Sequence, residues 1–213
     1  MFSRSLLSEA ADRRAPFPSA PTPPSAVSPS RQQYVWSLTL RDLLLIALVA
    51  ALCMVVKQLL RVPINVPGHS GVLWVALFVI CRGLVDKRGT GVVLGIVTGL
   101  LAQFAGFGHQ GPFEWTKWVA AGIVLEVLAL VIPGDLRGWG KAAAVGAGLH
   151  LGKLAALTLA GLLLRVPVAL LLLGLGWSAS THVVFGAVGG VLGALALREL
   201  RRIPFLDAQA RGG

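Results

Sequence analysis

Long apolar runs separated by short polar segments dominate the chain after about residue 38. Each run is close to the ~20 residues that a helix needs to cross ~30 Å of hydrocarbon, if tilt is allowed for. Lipid offers no partner for an unpaired backbone group, so the runs predict an all-α integral membrane protein built as a six-transmembrane-helix bundle. The predicted spans are about residues 40–60, 71–85, 90–107, 113–132, 142–164 and 178–197.

One segment fits none of these runs. The stretch "RVPVALLLLGLGW", residues 165–177, is too apolar for an ordinary loop and too short to cross a membrane. Pro167 and the "GLG" near its end predict a separate short helix at the outer surface. Whether that helix closes over a solute as a lid or only packs on the rim of the bundle is left open by the sequence.

Composition agrees with a membrane protein and divides the chain. Hydrophobic residues make up 55% of the sequence and charged residues 13%, against about 25% charged residues in a soluble domain. Residues 1–37 are rich in Pro and Ser, which predicts a disordered cytoplasmic tail. Residues 38–200 form the predicted membrane domain, and residues 201–213 a basic cytoplasmic tail.

The positive charges predict which side the termini occupy. If the N-terminus is cytoplasmic, the tails and inner loops hold 14 of the 19 Lys and Arg residues, and the outer side keeps Lys57, Arg61 and Arg165. This asymmetry predicts that both termini are cytoplasmic. We expect the protein to lie in the cell inner (plasma) membrane. Membrane topology therefore explains most of the basic excess, and we expect no nucleic-acid partner.

The fourth run carries more charge than a plain membrane helix. Glu114 and Lys117 share one helical face near its outer end. Glu126 lies deeper, where an ionised side chain costs at least ~2.5–3.5 kcal/mol without a partner. We expect it to pair with Lys153 or His150 in the fifth run. Such charges suggest that the outer half of the fourth helix lines a solute cavity.

Polar and aromatic side chains gather on the outer side of the predicted bundle, whereas the inner loops carry mostly charge. Apolar walls, a few convergent polar groups and Gly- or Pro-rich loops are typical of a small-molecule pocket. The candidate substrate-binding residues are Asn65, His69, Trp74, Gln103, His109, Glu114, Trp115, Lys117, Trp118, His150, Lys153, Trp177 and His182.

Neither metal nor cofactor chemistry is indicated. The sequence contains no Cys or His motif of metal-binding spacing, and Cys53 and Cys81 lie inside apolar runs as expected for buried thiols. We therefore expect no cofactor.

Small residues recur at four-residue steps in several runs, which allows close packing of helices. In the first run they are Ala47 and Ala51, within "ALVAA". Because the rest of that helix is Leu- and Val-rich, this pair is a candidate docking face for another membrane protein. The remaining stripes fit packing inside the bundle.

This pattern resembles the substrate-binding S components of energy-coupling factor (ECF) vitamin transporters, over about residues 38–200. Those proteins have six helices, cytoplasmic termini and an Ala-x-x-x-Ala motif on the first helix, here Ala47 to Ala51. The stretches "RDLLLIALVAAL", "LVDKRGTGVVLGIVTGLLAQFAG" and "GHQGPFEWTKWV" look most like the hydroxymethylpyrimidine or thiamine type. The resemblance implies capture of a small vitamin-like solute and delivery through a coupling transmembrane subunit and two cytoplasmic ATPases.

Other functions stay open at this point. Ser178 and His182 are four residues apart and Ser70 adjoins His69, so an intramembrane hydrolase is an alternative, although no G-x-S-x-G element is present. A membrane scaffold or assembly factor is another. No phosphate-binding loop occurs in the chain, so we expect a transporter subunit without its own ATPase. The charge of the solute is also open.

Overall fold

The computed structural model describes residues 38–59, 67–106, 111–132 and 134–202. This part of the chain contains six α-helices and no strand, which confirms the all-helical prediction. A short 3-10 turn, Gly111–Phe113, precedes the fourth helix. The helices are α1 (Leu40–Leu59), α2 (Gly71–Leu84), α3 (Thr90–Phe104), α4 (Thr116–Val131), α5 (Trp139–Leu163) and α6 (Val168–Leu200).

Three of these helices, α1, α5 and α6, are long and apolar enough to cross a membrane. The helices α2 and α3 are apolar but shorter, with 14 and 15 residues, and α4 has 16. Many large apolar side chains lie on the outside of the bundle, as expected for surfaces that contact lipid. Transmembrane character is therefore supported, whereas six spans and cytoplasmic termini stay predictions. The tail 1–37 and residues 203–213 lie outside the described residues.

The helix α6 corrects the prediction for residues 165–177. It is one continuous helix of 33 residues, Val168–Leu200, so the separate short helix predicted there is wrong. Pro167 directly precedes the first turn, where its missing N–H costs no helical hydrogen bond. Arg165, with φ of 58°, makes the turn from α5. The glycines of "GLG" continue the helix, because glycine is tolerated in apolar membrane helices.

The six helices form a closed ring in the order α1, α2, α6, α5, α4, α3 and back to α1. The helix α2 also contacts α5 and carries Trp74, Val75, Phe78 and Val79 into the core. We call the end where α1 begins and α6 ends the tail end. The opposite end, where α1 ends and α4 begins, is called the far end.

At the tail end, α1 begins with a capping box. The backbone N–H of Thr39 donates to Asp42 Oδ2 at 2.7 Å, and the N–H of Asp42 donates to Thr39 Oγ1 at 3.3 Å. These contacts satisfy amides that a helix start leaves without partners. Lys87, between α2 and α3, donates to the same carboxylate at 2.8 Å and ties α1 to that loop.

Glycines bring two helix pairs into backbone contact. A methyl group added at Gly95 of α3 or Gly122 of α4 would overlap backbone atoms of the facing helix. The same holds for Gly146 of α5 and Gly190 of α6. The small-residue stripes of these helices therefore pack within the bundle. Ala47 and Ala51 differ, because both are exposed on the outer face of α1.

Candidate solute-binding site

Three aromatic rings from two helices form a buried centre in the bundle. Trp74 and Phe78 are four residues apart on α2 and therefore share a face. Trp118 of α4 meets Trp74 edge-to-face, with ring centroids 5.4 Å apart. The Phe78 ring lies 5.3 Å from Trp74 and 6.2 Å from Trp118. Edge-to-face contacts of this kind stabilise a defined arrangement of rings.

Two stacked histidines extend this aromatic centre. His150 of α5 lies 5.3 Å from the Trp74 ring, and its own ring stacks on His182 of α6 at 4.4 Å. His150 Nδ1 is 3.0 Å from the backbone oxygen of His182, and His182 Nδ1 is 2.7 Å from that of Ser178. A carbonyl only accepts, so both Nδ1 atoms donate, and in the neutral rings each Nε2 is left as an acceptor.

His182 is not positioned to act as a general base for the hydroxyl of Ser178. Its Oγ lies 3.4 Å from His182 Nδ1, but that nitrogen already donates its hydrogen to the Ser178 carbonyl. A serine nucleophile needs a histidine nitrogen that accepts its proton. The pair is therefore not arranged as a nucleophile and base.

A tight turn packs directly on the two imidazoles. Gly68 has φ of +84°, and a Cβ atom there would lie 3.0 Å from His182 Nδ1 and 3.1 Å from His150 Cε1. A Cβ atom on Gly71, the first residue of α2, would overlap the His150 ring. His69, a candidate from the sequence, lies in this turn. The backbone of the "PGHSG" stretch therefore contacts the two histidine rings at Gly68 and Gly71.

Three lysines from three helices surround the indoles. The Nζ of Lys57, in the last turn of α1, is 5.2 Å from the centroid of Trp118, and that of Lys117 is 6.0 Å from it. The Nζ of Lys153 on α5 is 4.9 Å from Trp74 and 5.3 Å from Trp118. These distances are within the range of cation–π attraction.

Glu114 is the carboxylate that balances part of this charge. It is buried beside the start of α4, and its Oε1 accepts from Lys117 and, at 3.3 Å, from Lys57. In the described chain, no carboxylate or carbonyl oxygen lies within hydrogen-bond distance of Lys153 Nζ, whose contacts are the two indoles. One carboxylate therefore serves two of the three ammonium groups.

Four buried polar atoms of this cluster have no hydrogen-bond partner. They are Trp74 Nε1, Trp118 Nε1, Glu114 Oε2 and His150 Nε2. Buried polar groups in folded proteins are nearly always paired, so a group of orphaned atoms in one place indicates a partner such as water or a solute. Two of the atoms are donors and two are acceptors. We call these residues, with Phe78, His182 and the three lysines, the indole–lysine cluster.

Seven of the residues that the sequence predicts for the site come together in this cluster. Trp115 and Trp177 point away from it and are 44% and 66% exposed. Gln103 is half-buried on α3, with its Oε1 unpaired. Asn65 and His109 lie outside the described residues. The seven are Trp74, Glu114, Lys117, Trp118, His150, Lys153 and His182.

Two members of the cluster were not predicted from the sequence. Lys57 counted only as a topological charge, since it stands at the end of an apolar run. Phe78 has no polar group that would single it out, but its spacing of four from Trp74 places it on the same face and could have indicated it.

Glu126 does not join this cluster, so its predicted pairing with Lys153 or His150 is wrong. Its carboxylate accepts from the backbone N–H groups of Gly89 at 2.8 Å and Gly91 at 2.9 Å. Arg82 Nε lies 3.5 Å away. The prediction matched depths along two helices, but α4 packs on α3, whose unpaired amides attract an anion.

A cavity of about 250 Å³ lies at the tail end. Its cations are already engaged: Arg82 donates to Asp86 at 2.6 Å, and Arg201 donates to the backbone oxygen of Gly83. Lys141 donates to two backbone oxygens at the end of α4 and just beyond it. The cationic side chains that line this cavity are therefore largely paired within the protein, whereas the Arg82 Nε and Arg201 Nε atoms have no hydrogen-bond partner.

No family model, curated protein or solved structure matches this chain. Among the residues that the structure describes, no three His, Cys, Asp or Glu side chains are grouped as a metal site would require. Cys53 and Cys81 are free and buried. The function therefore has to be argued from the indole–lysine cluster and its surroundings.

Proposed function

We propose that this chain is the substrate-capture (S) subunit of an ECF-type importer in the cell inner membrane. It binds a small vitamin or vitamin precursor from the outer face. It then delivers the solute through a coupling transmembrane subunit driven by two cytoplasmic ATPases. The observation that carries this proposal is the set of four unpaired polar atoms around two buried indoles.

The chemistry of the cluster suits a small planar solute. Indole and imidazole rings offer flat faces for stacking, and the unpaired donors and acceptors offer the few directed hydrogen bonds that fix orientation. Because Trp74, Trp118 and His150 are buried, such bonds would form away from competing water. The carboxylate and lysines add charge recognition to the same place.

The outer face of α1 supports a membrane partner. Ala47 and Ala51 are exposed one turn apart, and Leu48 and Leu52 beside them are also exposed. Small residues on a helix face let another helix approach closely. The glycine stripes of α3 and α6 are used inside the bundle, which leaves the alanine pair of α1 as a docking surface for the coupling subunit.

The alternatives have less support. A serine hydrolase built on Ser178 and His182 needs an accepting histidine nitrogen, and His182 Nδ1 donates instead. A scaffold without a solute does not account for the grouping of four such atoms around two buried indoles.

Solute binding can be measured by tryptophan fluorescence on purified protein in detergent, against a panel of B vitamins and precursors that includes thiamine and hydroxymethylpyrimidine. We expect one solute to quench the signal. Trp118→Ala should weaken that binding at least about tenfold, because it removes a stacking face and a donor.

Trp177→Ala is the matched control, since it removes an exposed indole outside the cluster. It should leave the affinity unchanged. The proposal fails if the folded protein responds to no solute in the panel, or if the two variants lose affinity equally.

A further inference from the structure

We propose that the captured solute is an anion, a planar ring bearing a carboxylate or phosphate group, and that Lys153 is the residue that pairs with this group. This inference rests on the proposed function and names the class of its substrate. It follows from the balance of charge and of hydrogen-bond donors in the indole–lysine cluster.

The charges of the cluster do not cancel. In the described residues it holds three ammonium groups, from Lys57, Lys117 and Lys153, and one carboxylate, Glu114. Like charges that share a poorly solvated site repel one another, and a charge in the membrane interior needs a partner. An anionic solute would supply the missing negative charge.

Lys153 is the cation left for such a solute. Lys57 and Lys117 both donate to Glu114, whereas the Nζ of Lys153 contacts the faces of Trp74 and Trp118 at 4.9 and 5.3 Å. An aromatic face attracts an ammonium group, but it does not accept hydrogen bonds as strong as those that water accepts from the same group. The three N–H bonds of Lys153 are therefore available to an anion beside the two rings.

The unpaired indole nitrogens point to the same class of solute. Trp74 Nε1 and Trp118 Nε1 are buried donors that cannot accept, so they need an acceptor such as a carboxylate or phosphate oxygen. Glu114 Oε2 and His150 Nε2 remain as acceptors for an N–H or O–H group on the ring. One molecule with an anionic end and a ring donor would supply partners for the two indoles and Glu114, whereas His150 Nε2 packs against Gly71.

A cationic solute is disfavoured by the same geometry. A thiazolium or similar ring would seek the faces of Trp74 and Trp118, but those indoles already carry lysine ammonium groups within 6.0 Å. Glu114, the carboxylate that could attract it, is shared by two lysines. Free thiamine would then meet repulsion where its phosphate ester would meet attraction.

The experiment compares ring-matched pairs by tryptophan fluorescence on the full-length protein. The pairs are nicotinate and nicotinamide, hydroxymethylpyrimidine phosphate and hydroxymethylpyrimidine, pyridoxal phosphate and pyridoxal, and thiamine monophosphate and thiamine. We expect the more anionic member of the bound pair to bind at least about tenfold more tightly. Lys153→Gln and Lys153→Met should abolish this preference, and Lys153→Arg should keep it.

Lys141→Gln is the matched control, because Lys141 lies on the same helix but donates to carbonyls at the tail end. It should keep the preference. Melting temperatures identify variants that fail to fold, and Lys153→Met, which removes a charge from the membrane interior, keeps the test valid if Lys153→Gln unfolds.

The outcomes separate this inference from the proposed function. Equal or tighter binding of the neutral or cationic member overturns the anion inference and leaves solute capture standing. A preference that survives in folded Lys153→Gln and Lys153→Met overturns the assignment to Lys153. If the folded wild-type protein binds no member of any pair, the proposed function fails, and this inference with it.

Discussion

Position 71 requires glycine because the ring of His150, 79 residues later in the sequence, packs against it. A Cβ atom on Gly71 would overlap the imidazole of His150, and Gly68 combines a positive φ with close contact to both histidines. Pro and Gly in "PGHSG" predict a turn before the second helix, and a turn is present. The sequence could not reveal that this turn presses on α5 and α6, because that contact depends on how the helices are arranged.

We expect Gly71→Ala to destabilise the protein by about 1–3 kcal/mol, because its methyl group forces His150 or the start of α2 to move. The thermal melting point in detergent should fall by several degrees, and solute binding should weaken. Gly174→Ala is the matched control, since a Cβ atom there meets open space within α6. Equal melting points for the two variants would contradict the close contact.

The cluster shows which single residues can be predicted from sequence. Glu114, Lys117 and Lys153 attract attention because a charge in an apolar run is costly without a function or partner. Tryptophan is ambiguous, since it serves equally as an interface anchor, and only the helix orientation separates the buried Trp118 from the exposed Trp115. Lys57 escaped notice because a positive charge at a helix end has an ordinary topological explanation.

At the scale of one helix, the start of α3 depends on a side chain from its neighbour. Gly89, with φ of 88°, precedes the helix and has no side chain to cap it. Glu126 of α4 takes that role by accepting the amides of Gly89 and Gly91. Gly91 allows this approach, because it packs against the backbone of Gly122.

Glu126→Gln should therefore lower stability by about 1.5–3 kcal/mol, the range for hydrogen bonds to a charged group. The amide keeps one acceptor oxygen, but its NH₂ group would face a backbone N–H. Glu199→Gln is the control, because Glu199 pairs with Arg202 on the exposed surface, where an ion pair contributes little. Thermal melting of both variants tests this, and equal melting points would show that the capping contact is not stabilising.

The apolar runs predict the positions of most helices closely, and the one prediction that failed has a physical cause. The bounds of α1, α2 and α3 lie within a few residues of the predicted spans. The prediction failed for α6 because Pro167 and two glycines were treated as breaks. Proline before the first turn and glycine within an apolar helix are both compatible with a continuous helix.

At the scale of the whole molecule, the arrangement of the six helices predicts how the protein is oriented across the membrane. Residues 85–89 and 134–138, the start of α1 and the end of α6 all lie at the tail end, which carries most of the basic residues. The rule for positive charges then predicts that the tail end is cytoplasmic and that the indole–lysine cluster lies nearer the outside.

Cysteine labelling in intact cells tests this orientation, because Cys53 and Cys81 are buried and should stay unlabelled. A membrane-impermeant maleimide should label Ala105→Cys at the far end. It should label Arg88→Cys and Glu199→Cys at the tail end only after lysis, since both residues are exposed there. Labelling of the tail-end cysteines in intact cells would reverse the orientation.

The unequal lengths of the helices have a consequence for the surrounding bilayer. At 1.5 Å per residue, the 33 residues of α6 extend about 50 Å and the 15 residues of α3 about 22 Å. The first length is greater, and the second smaller, than the thickness of a hydrocarbon layer, about 30 Å. Hydrophobic mismatch therefore has opposite signs around one molecule. The prediction that both helices cross the bilayer therefore implies that α6 leans or thickens the bilayer beside it, and that the bilayer thins beside α3. The thickness of the membrane should then affect the tilt of the protein in it.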